Sequence, residues 1–390
     1  MDKKINLLYI SRTSDLTGAE NSLLDLINKI DKNLFNPIVV IPDTNGIFYA
    51  KLKGNNIKTL ILRMSFISIT YNPLRLTYFL LNIIFINFKF IIILIKYKIN
   101  IIICNSFQDS LFILLAKIIA NKKLIIYLKN ILDKRWKKKV RAIIFRFFAD
   151  RIIAVSEKAG EDFLNFYKSS KKMKIIYDGI DYDKFIQNVE IENILEKKLS
   201  KKNNYLNIIN IGNLSELKGQ HLLINSILDT RLKKINFNIY LIGDIYKKNE
   251  IDYKNKLIRM IESNSLFEKV YMLGFQTNIK DIIYYSDILV HCPTIDDAFP
   301  RVLLESMSFG KIVIATNVGG IPEIIKDGIN GFLCKPEAGS LAQTILYVCK
   351  NYKDLIFVRE NAIKTIIDKF DINKEISETE ILYKNVLKMT

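Results

Sequence analysis

Residues 286–336 read SDILVHCPTIDDAFPRVLLESMSFGKIVIATNVGGIPEIIKDGINGFLCKP, and this stretch decides the fold. An apolar strand, Ile288–His291, runs into a loop carrying Asp296 and Asp297, and Phe299-Pro300 then opens a helix. Proline suits the first helical position, where its missing N–H costs nothing. The amides of Arg301, Val302 and Leu303 then face the loop, a natural seat for an anion. Asp297 stands just before that helix start, and Glu305 lies eight residues on, about two turns into the helix. A second strand, Ile312–Ala315, and a Gly319-Gly320 turn follow. Two acids thus bracket an anion seat at the carboxyl end of a strand, where open α/β sheets take their ligands. The pattern points to a polyhydroxylated ligand bearing phosphate.

Working outward, the first half alternates short apolar strands with helical stretches, as a parallel sheet requires. Its strands are expected at Ile5–Ser11, Pro37–Ile41, Lys58–Leu62, Ile101–Asn105, Leu124–Leu128, Arg151–Val155 and Lys174–Ile176. After Asp178-Gly179-Ile180-Asp181 the pattern breaks into a lysine-rich stretch near 186–204. That tetrapeptide reads as a hinge, with Gly179 expected at positive φ. Alternation restarts with Leu206–Ile211, Asn238–Ile242, Val270–Leu273, Ile288–His291 and Ile312–Ala315, and residues from about 338 read as helices. The expected fold class is α/β, with two Rossmann-like domains facing a central cleft. Residues 1–185 form a basic first domain, 186–370 a second, and 371–390 a closing helix.

Composition narrows the function. The chain has 390 residues, a size that favours two or three domains. Its four cysteines form no C-x-x-C pair, and it has only two histidines, so a disulfide frame, a zinc site or a histidine-rich metal centre is not expected. A reduced, cytoplasmic setting fits. The apolar run Ile5–Ile10 is strand-length and is ended by Arg12 and Asp15, unlike a secretory signal. Residues 76–95 are long and apolar enough for a span, but Asn82, Asn87 and Lys89 interrupt them. A helix packed in the first domain, with one face on a membrane, is the expectation.

The net charge is +18, and residues 1–185 carry 31 Lys and Arg against 15 Asp and Glu, or +16 of it. A dense run, Lys134 to Lys139, is followed by Arg141 and Arg146. Such a face suits an anionic membrane surface or a phosphate-bearing acceptor; a nucleic acid or a plain solvated lysine face would fit as well.

Three further segments sit where strands end and helices begin. Gly212-Asn213-Leu214-Ser215-Glu216-Leu217-Lys218-Gly219 follows a strand and offers a lysine to an anion. Leu16-Thr17-Gly18-Ala19-Glu20-Asn21 opens a helix, and Gly18 lets backbone approach a phosphate or sugar. Asn105-Ser106 ends another strand and is an acceptor-side candidate. A P-loop is ruled out because Gly310-Lys311 is followed by Ile312. Neither a G-x-G-x-x-G fingerprint after the first strand nor an Asp-x-Asp metal signature at a strand end occurs.

These motifs, taken together, closely resemble family 4 of the retaining glycosyltransferases, which have the GT-B fold. The family's Glu-x7-Glu is matched by Asp297 and Glu305, with Ala298-Phe299-Pro300 inside it and Gly319-Gly320-Ile321-Pro322-Glu323 after it. Its Gly-Arg-Leu is matched by Gly212-Asn213-Leu214, its lysine by Lys218, and its Gly-Gly-Ala-Glu by Thr17-Gly18-Ala19-Glu20. Asp297 is one methylene shorter than the usual Glu, and Asn213 offers an amide where the family has a guanidinium. The resemblance implies a nucleotide-diphosphate sugar as donor substrate, no metal or other cofactor, and a last helix that crosses back to the first domain. It also implies that Lys218 neutralises the departing diphosphate and that Asp297 is catalytic with it. Gly18, Asn213, Phe299, Pro300, Arg301, Val302 and Glu305 are the expected donor-binding residues. Asn105, Lys129 and Asn130 are expected on the acceptor side, Lys129 or Asn130 standing where many relatives carry a histidine.

The expected partners are the nucleotide sugar, a glycan or polyprenyl-linked acceptor, and an anionic membrane surface, with no nucleic acid. The expected role lies in surface polysaccharide or lipopolysaccharide assembly, at the inner face of the cytoplasmic membrane. Alternatives are a GT-B nucleotide-sugar epimerase, or a basic membrane-surface or nucleic-acid binding protein with a lapsed site.

Overall fold

The structure, a computed structural model, describes residues 4–64, 73–131, 135–165, 170–187, 205–246 and 250–388. The chain divides into two compact units, one formed by Met1–Asp178 with Ile372–Thr390, the other by Gly179–Asp371. The first division thus falls at Asp178 and not at residue 185. Gly179 is not among the glycines with positive φ; its neighbour Ile180 pairs instead with Asp371 in a short parallel bridge that keeps both on one side of the division.

The first unit is built on seven strands: β1 (Ile5–Ile10), β2 (Phe35–Ile41), β3 (Lys58–Ile61), β4 (Ile101–Cys104), β5 (Lys123–Leu128), β6 (Arg151–Ala154) and β7 (Met173–Ile175). They form one sheet in the order β3-β2-β1-β4-β5-β6-β7, and every pairing is parallel. The crossovers are α1 (Gly18–Lys29), α2 (Ile47–Gly54), α3 (Pro73–Lys96), α4 (Phe107–Ser110), α5 (Leu114–Ile119), α6 (Arg135–Phe148) and α7 (Glu157–Leu164). Both sheet faces are covered, so the strands read as continuous apolar runs, as buried parallel strands do. Leu8, Ile10, Ile102, Cys104, Leu124 and Ile126 project to one face, into a core shared with α3, α5 and α6. Tyr9 and Tyr127 alternate with these and project to the other.

The second unit starts with α8 (Tyr182–Ile186) and continues with six strands: β8 (Leu206–Ile211), β9 (Phe237–Ile242), β10 (Val270–Gly274), β11 (Ile288–His291), β12 (Ile312–Thr316) and β13 (Phe332–Cys334). Their order is β10-β9-β8-β11-β12-β13, again with parallel pairing. The helices are α9 (Gln220–Ser226), α10 (Ile251–Ser263), α11 (Ile279–Tyr285), α12 (Arg301–Ser308), α13 (Ile321–Ile324), α14 (Ala338–Asn351) and α15 (Ile356–Lys369). The final helix, α16 (Ile372–Leu387), belongs to the first unit. There Tyr383 is fully buried against Phe35, ring centroids 6.1 Å apart edge to face, and its hydroxyl lies 3.4 Å from that of Tyr9. Each sheet therefore has a topological switch point, β1/β4 in one and β8/β11 in the other, where ligands bind in open α/β sheets.

Among the described residues, no helix is long and apolar enough to cross a membrane. The apolar run 76–95 forms most of α3, with its side chains described from Leu81 onward. Lys134 lies outside the described residues, as do the side chains from Arg135 to Lys138 and the backbone of 188–204. Arg141 departs from the expected basic surface: it is 2% exposed and donates through Nη1 to the Asn130 carbonyl at 2.9 Å. Its position on the inner side of α6 turns it toward the sheet.

Candidate functional site

In the second unit the expected residues gather at the β8/β11 switch point. His291 ends β11, and the loop after it brings Asp297 back over the strand end. The Gly212–Gly219 segment leaves β8 and closes in a single 3-10 turn, Glu216–Lys218, so that Lys218 precedes a helix instead of sitting within one. Thr294 ties the two loops together, its amide donating to the Leu217 carbonyl at 3.0 Å and its hydroxyl to the Glu216 carbonyl at 3.0 Å. Gly219 makes that approach possible: its φ is +70°, and a Cβ would lie 2.0 Å from the Cys292 carbonyl oxygen.

The result is a three-residue cluster. The Lys218 ammonium is 2.5 Å from Asp297 Oδ2, and His291 Nε2 is 3.2 Å from the same oxygen. Burial alone would raise the Asp297 carboxyl, but the Lys218 charge and the His291 hydrogen bond outweigh it and hold the group well below the usual carboxylate range. Burial pushes His291 below its ordinary value, with the Asp297 hydrogen bond pulling the other way. A neutral ring facing a carboxylate must donate, because a carboxylate only accepts, so Nε2 carries the proton. His291 was not singled out by the sequence reading. Its position as the last residue of the strand before the acidic loop is the signal that could have found it.

Behind Asp297 the helix start differs in one detail from expectation. Pro300 is extended (φ −73°, ψ 108°) and caps α12 from outside, the first helical residue being Arg301. Its carbonyl accepts the Leu303 amide at 3.1 Å, which takes that amide out of the expected anion seat and leaves the first-turn amides of Arg301 and Val302. One turn on, Arg301 Nε donates to Glu305 Oε1 at 3.0 Å. Phe299 is buried edge-on against Phe370, 5.5 Å between ring centroids. Gly319 and Gly320 clamp the acidic loop from the other side, their amides donating to Asp296 Oδ1 at 2.9 Å and the Asp297 carbonyl at 2.8 Å. With φ at +59° and the Asp297 carbonyl oxygen 2.1 Å from where a Cβ would stand, position 319 admits only glycine without a shift. Asn213 accepts through its carbonyl from Gln220 at 3.0 Å.

In the first unit the expected residues fall at the carboxyl edge around β1/β4. Gly18 begins α1, and a Cβ there would meet nothing within 4 Å. Glu20, one turn in, is 5% exposed and accepts from the Ser11 hydroxyl at 2.9 Å, the Asn105 amide at 3.2 Å and the Thr17 hydroxyl. Asn105 is thereby turned inward, joining β4 to α1. Lys129 lies 3.3 Å from Asp178, both side chains 8% exposed, and Asp178 also accepts from Ser22 at 2.8 Å. Asn130 is exposed, with its carbonyl held by Arg141. Beside them, Asp109 pairs with Arg12 at 2.8 Å, and burial pushes its carboxyl up to about 6 despite that pair. Among the described residues, no group of three or more His, Cys, Asp or Glu is placed to hold a metal ion.

Two Rossmann-like units, each built on a parallel sheet with a switch point, are the architecture of the GT-B fold. The chain belongs to the family 4, or group 1, glycosyltransferases: the Glycosyltransferase Family 4 model matches residues 16–184 and the Glycosyl transferases group 1 model residues 191–365. It is 24% identical over 241 residues, 62% of its length, to N-acetyl-alpha-D-glucosaminyl L-malate synthase of Bacillus anthracis. It is 23% identical over 226 residues, 56% of its length, to the UDP-Gal:alpha-D-GlcNAc-diphosphoundecaprenol alpha-1,3-galactosyltransferase of Escherichia coli. The matched stretches span 61% and 55% of those two relatives' own lengths. Among solved structures, Anabaena HepE in complex with UDP-glucose superposes with a TM-score of 0.82 at 24% identity, over 97% of this chain and 100% of that one. At that identity the match speaks for the fold.

Proposed function

We propose that the chain is a retaining hexosyltransferase that moves a sugar from a nucleotide diphosphate to a hydroxyl of a lipid-linked glycan, without a metal. The cluster of Lys218, His291 and Asp297 at the switch point, in front of the first turn of α12, is the observation that carries this reading. Donor diphosphate and Asp297 compete for one ammonium. On binding, Lys218 passes from the carboxylate toward the phosphates, where it and the first-turn amides of α12 stabilise charge as the glycosidic C–O bond breaks. Asp297, released from Lys218 but still held by His291, accepts from the sugar hydroxyls. Glu305, one turn behind, takes the ribose hydroxyls. The acceptor oxygen bonds to the anomeric carbon on the face the diphosphate leaves, and its proton passes to a leaving phosphate oxygen.

UDP is the expected nucleotide, because HepE is described with UDP-glucose and the E. coli relative is named for UDP-Gal. That relative's name also specifies a diphosphoundecaprenol acceptor, which supports a polyprenyl-linked glycan here and a role in surface polysaccharide or lipopolysaccharide assembly. The +16 of residues 1–185 supports a place at the anionic inner face of the cytoplasmic membrane.

Thermal shift with UDP, GDP, ADP and their sugars, in chelator and then in magnesium, tests the reading. Stabilisation by the UDP series alone, equal in both media, is expected. A chain that no nucleotide stabilises is not a sugar-nucleotide enzyme, and a shift seen only with magnesium removes the metal-free mechanism.

A further inference from the structure

Among the described residues, nothing covers one face of the first unit. From Leu81 onward helix α3 carries apolar residues on its outer side as well as its inner one, a pattern that ordinarily means burial on both. Ile86, Phe90 and Leu94 meet that expectation on its inner side. On its outer side Leu81, Ile84, Phe85, Phe88, Ile92 and Ile95 are each between 49% and 66% exposed. The adjoining helices continue the apolar surface. Ile118 and Ile119 of α5 are 53% and 68% exposed, and Phe147 of α6 is 67% exposed. All three helices share one core beneath the same sheet face, so these residues stand on one side of the unit. Apolar surface exposed along the packed pair α3 and α5, with Phe147 of α6 on the same side, marks an interaction site.

The charge on the same helices has one sign. Helices α3, α5 and α6 contain no Asp or Glu, and their described Lys and Arg outside the core are Lys89, Lys96, Lys117, Lys139 and Arg146. Acids return in α7 at the sheet margin, and Asp150, just after α6, is paired with Lys117 at 3.2 Å. The opposite face differs: α1 has Glu20 and Asp25, and α16 has Glu375, Glu378 and Glu380. Cations are set against the exposed rings themselves, the Lys89 ammonium 4.5 Å from the Phe85 centroid and the Arg146 guanidinium 5.6 Å from that of Phe147. Aromatic and aliphatic side chains interleaved with Lys and Arg, and no acids, match a bilayer interface, which takes apolar groups into its acyl boundary and cations at its headgroups. A second copy of the chain would oppose like charges, and a nucleic acid would leave the apolar surface in water.

We infer that the outer face of α3, α5 and α6 docks the protein on an anionic lipid bilayer by shallow apolar insertion as well as by charge. The inference deepens the membrane part of the reading above. It stands apart from the sugar-transfer part, because its test reads vesicle binding alone.

The experiment is flotation of the full chain with phosphatidylcholine vesicles made with and without phosphatidylglycerol, at low salt and at about 0.5 M salt, where the Debye length is only a few Å. The wild type is expected to float with anionic vesicles and to keep part of that binding in high salt. Phe88→Ser with Ile92→Ser, both exposed positions, should cut binding at least about tenfold while leaving the melting temperature and any nucleotide-induced shift unchanged. Lys89→Glu with Arg146→Glu should abolish the preference for phosphatidylglycerol. Undiminished flotation of the Ser variant overturns insertion, and so does complete release by salt. Absence of wild-type flotation, or self-association lost only in the Ser variant, overturns the bilayer as occupant. Nucleotide binding, measured on the same samples, reports separately on the catalytic reading.

Discussion

Lys218 and His291 both contact one oxygen of Asp297, and in the proposed mechanism transfer turns on how they share it. Replacing Lys218 with Ala removes the ammonium paired with Asp297 and is expected to lower transfer by about a hundredfold or more, the scale at which preorganised charge stabilises a departing anion. Steady-state transfer from the donor checks it, and wild-type turnover would remove Lys218 from the mechanism. For His291, the sign of the pH effect follows from its depressed pKa. The folded ring stays neutral while the unfolded one takes a proton below about 6.5. Its contribution to stability is therefore full above that pH and lost as pH falls, and His291→Phe should flatten this dependence in urea unfolding curves. Asp109 behaves oppositely. With its folded value near 6 against about 3.9 unfolded, it favours the folded state below the lower value and loses that contribution as pH rises through the upper. Relative to Asp109→Asn, the wild type should gain up to roughly 3 kcal/mol between pH 7 and pH 4. At this scale Asp297, Lys218 and Glu305 were legible in the sequence because they occur in fixed spacing around strand ends. His291 was not, because a lone histidine ending an apolar strand looks the same whether it supports the core or a carboxylate.

Loops and helix starts carry the geometry that single residues cannot. The turn at Gly319 exists to let backbone pass over the Asp297 carbonyl. Gly319→Ala places a methyl where that oxygen lies, in a conformation that L-residues avoid, and should cost about 1 to 3 kcal/mol together with most donor binding. Melting and nucleotide shift on one sample separate the two losses. Strand positions were readable from the runs of Ile, Val and Leu, and all twelve expected strands are present within a residue or two. The thirteenth, β13, escaped because Phe332–Cys334 has three residues, too few to show a period. The start of α12 shifted for a different reason. Proline is compatible with the first helical position but equally with an extended cap, and only the carbonyl contact to the Leu303 amide decides between them.

For the whole molecule, the two-unit division was visible in the sequence as a break in alternation, and its placement was not. A polar, lysine-rich stretch says that packing stops, while the bridge between Ile180 and Asp371 that sets the boundary joins residues far apart in sequence. Helix α16 is the clearest case of such long-range closure. Tyr383→Ala should cost about 3 to 5 kcal/mol and act on the first unit. Hydrogen exchange of the β1, β4 and β5 amides should report an earlier denaturant midpoint for the first unit in the variant. Nucleotide protection of the second unit should persist at denaturant concentrations where the amides of the first unit already exchange.

Because α16 follows the whole of the inserted second unit in sequence, the first unit is a discontinuous domain whose completion waits until residues 179–371 have been made. Throughout synthesis of residues 179–371 the pocket that Tyr383 will fill, formed by Tyr9, Phe35 and Tyr127, has no occupant. The inserted second unit is continuous in sequence and can condense as soon as it clears the exit tunnel. The order of maturation is thus the reverse of the order of synthesis: the half made second is finished first, and the basic half is sealed only once α16 has followed it.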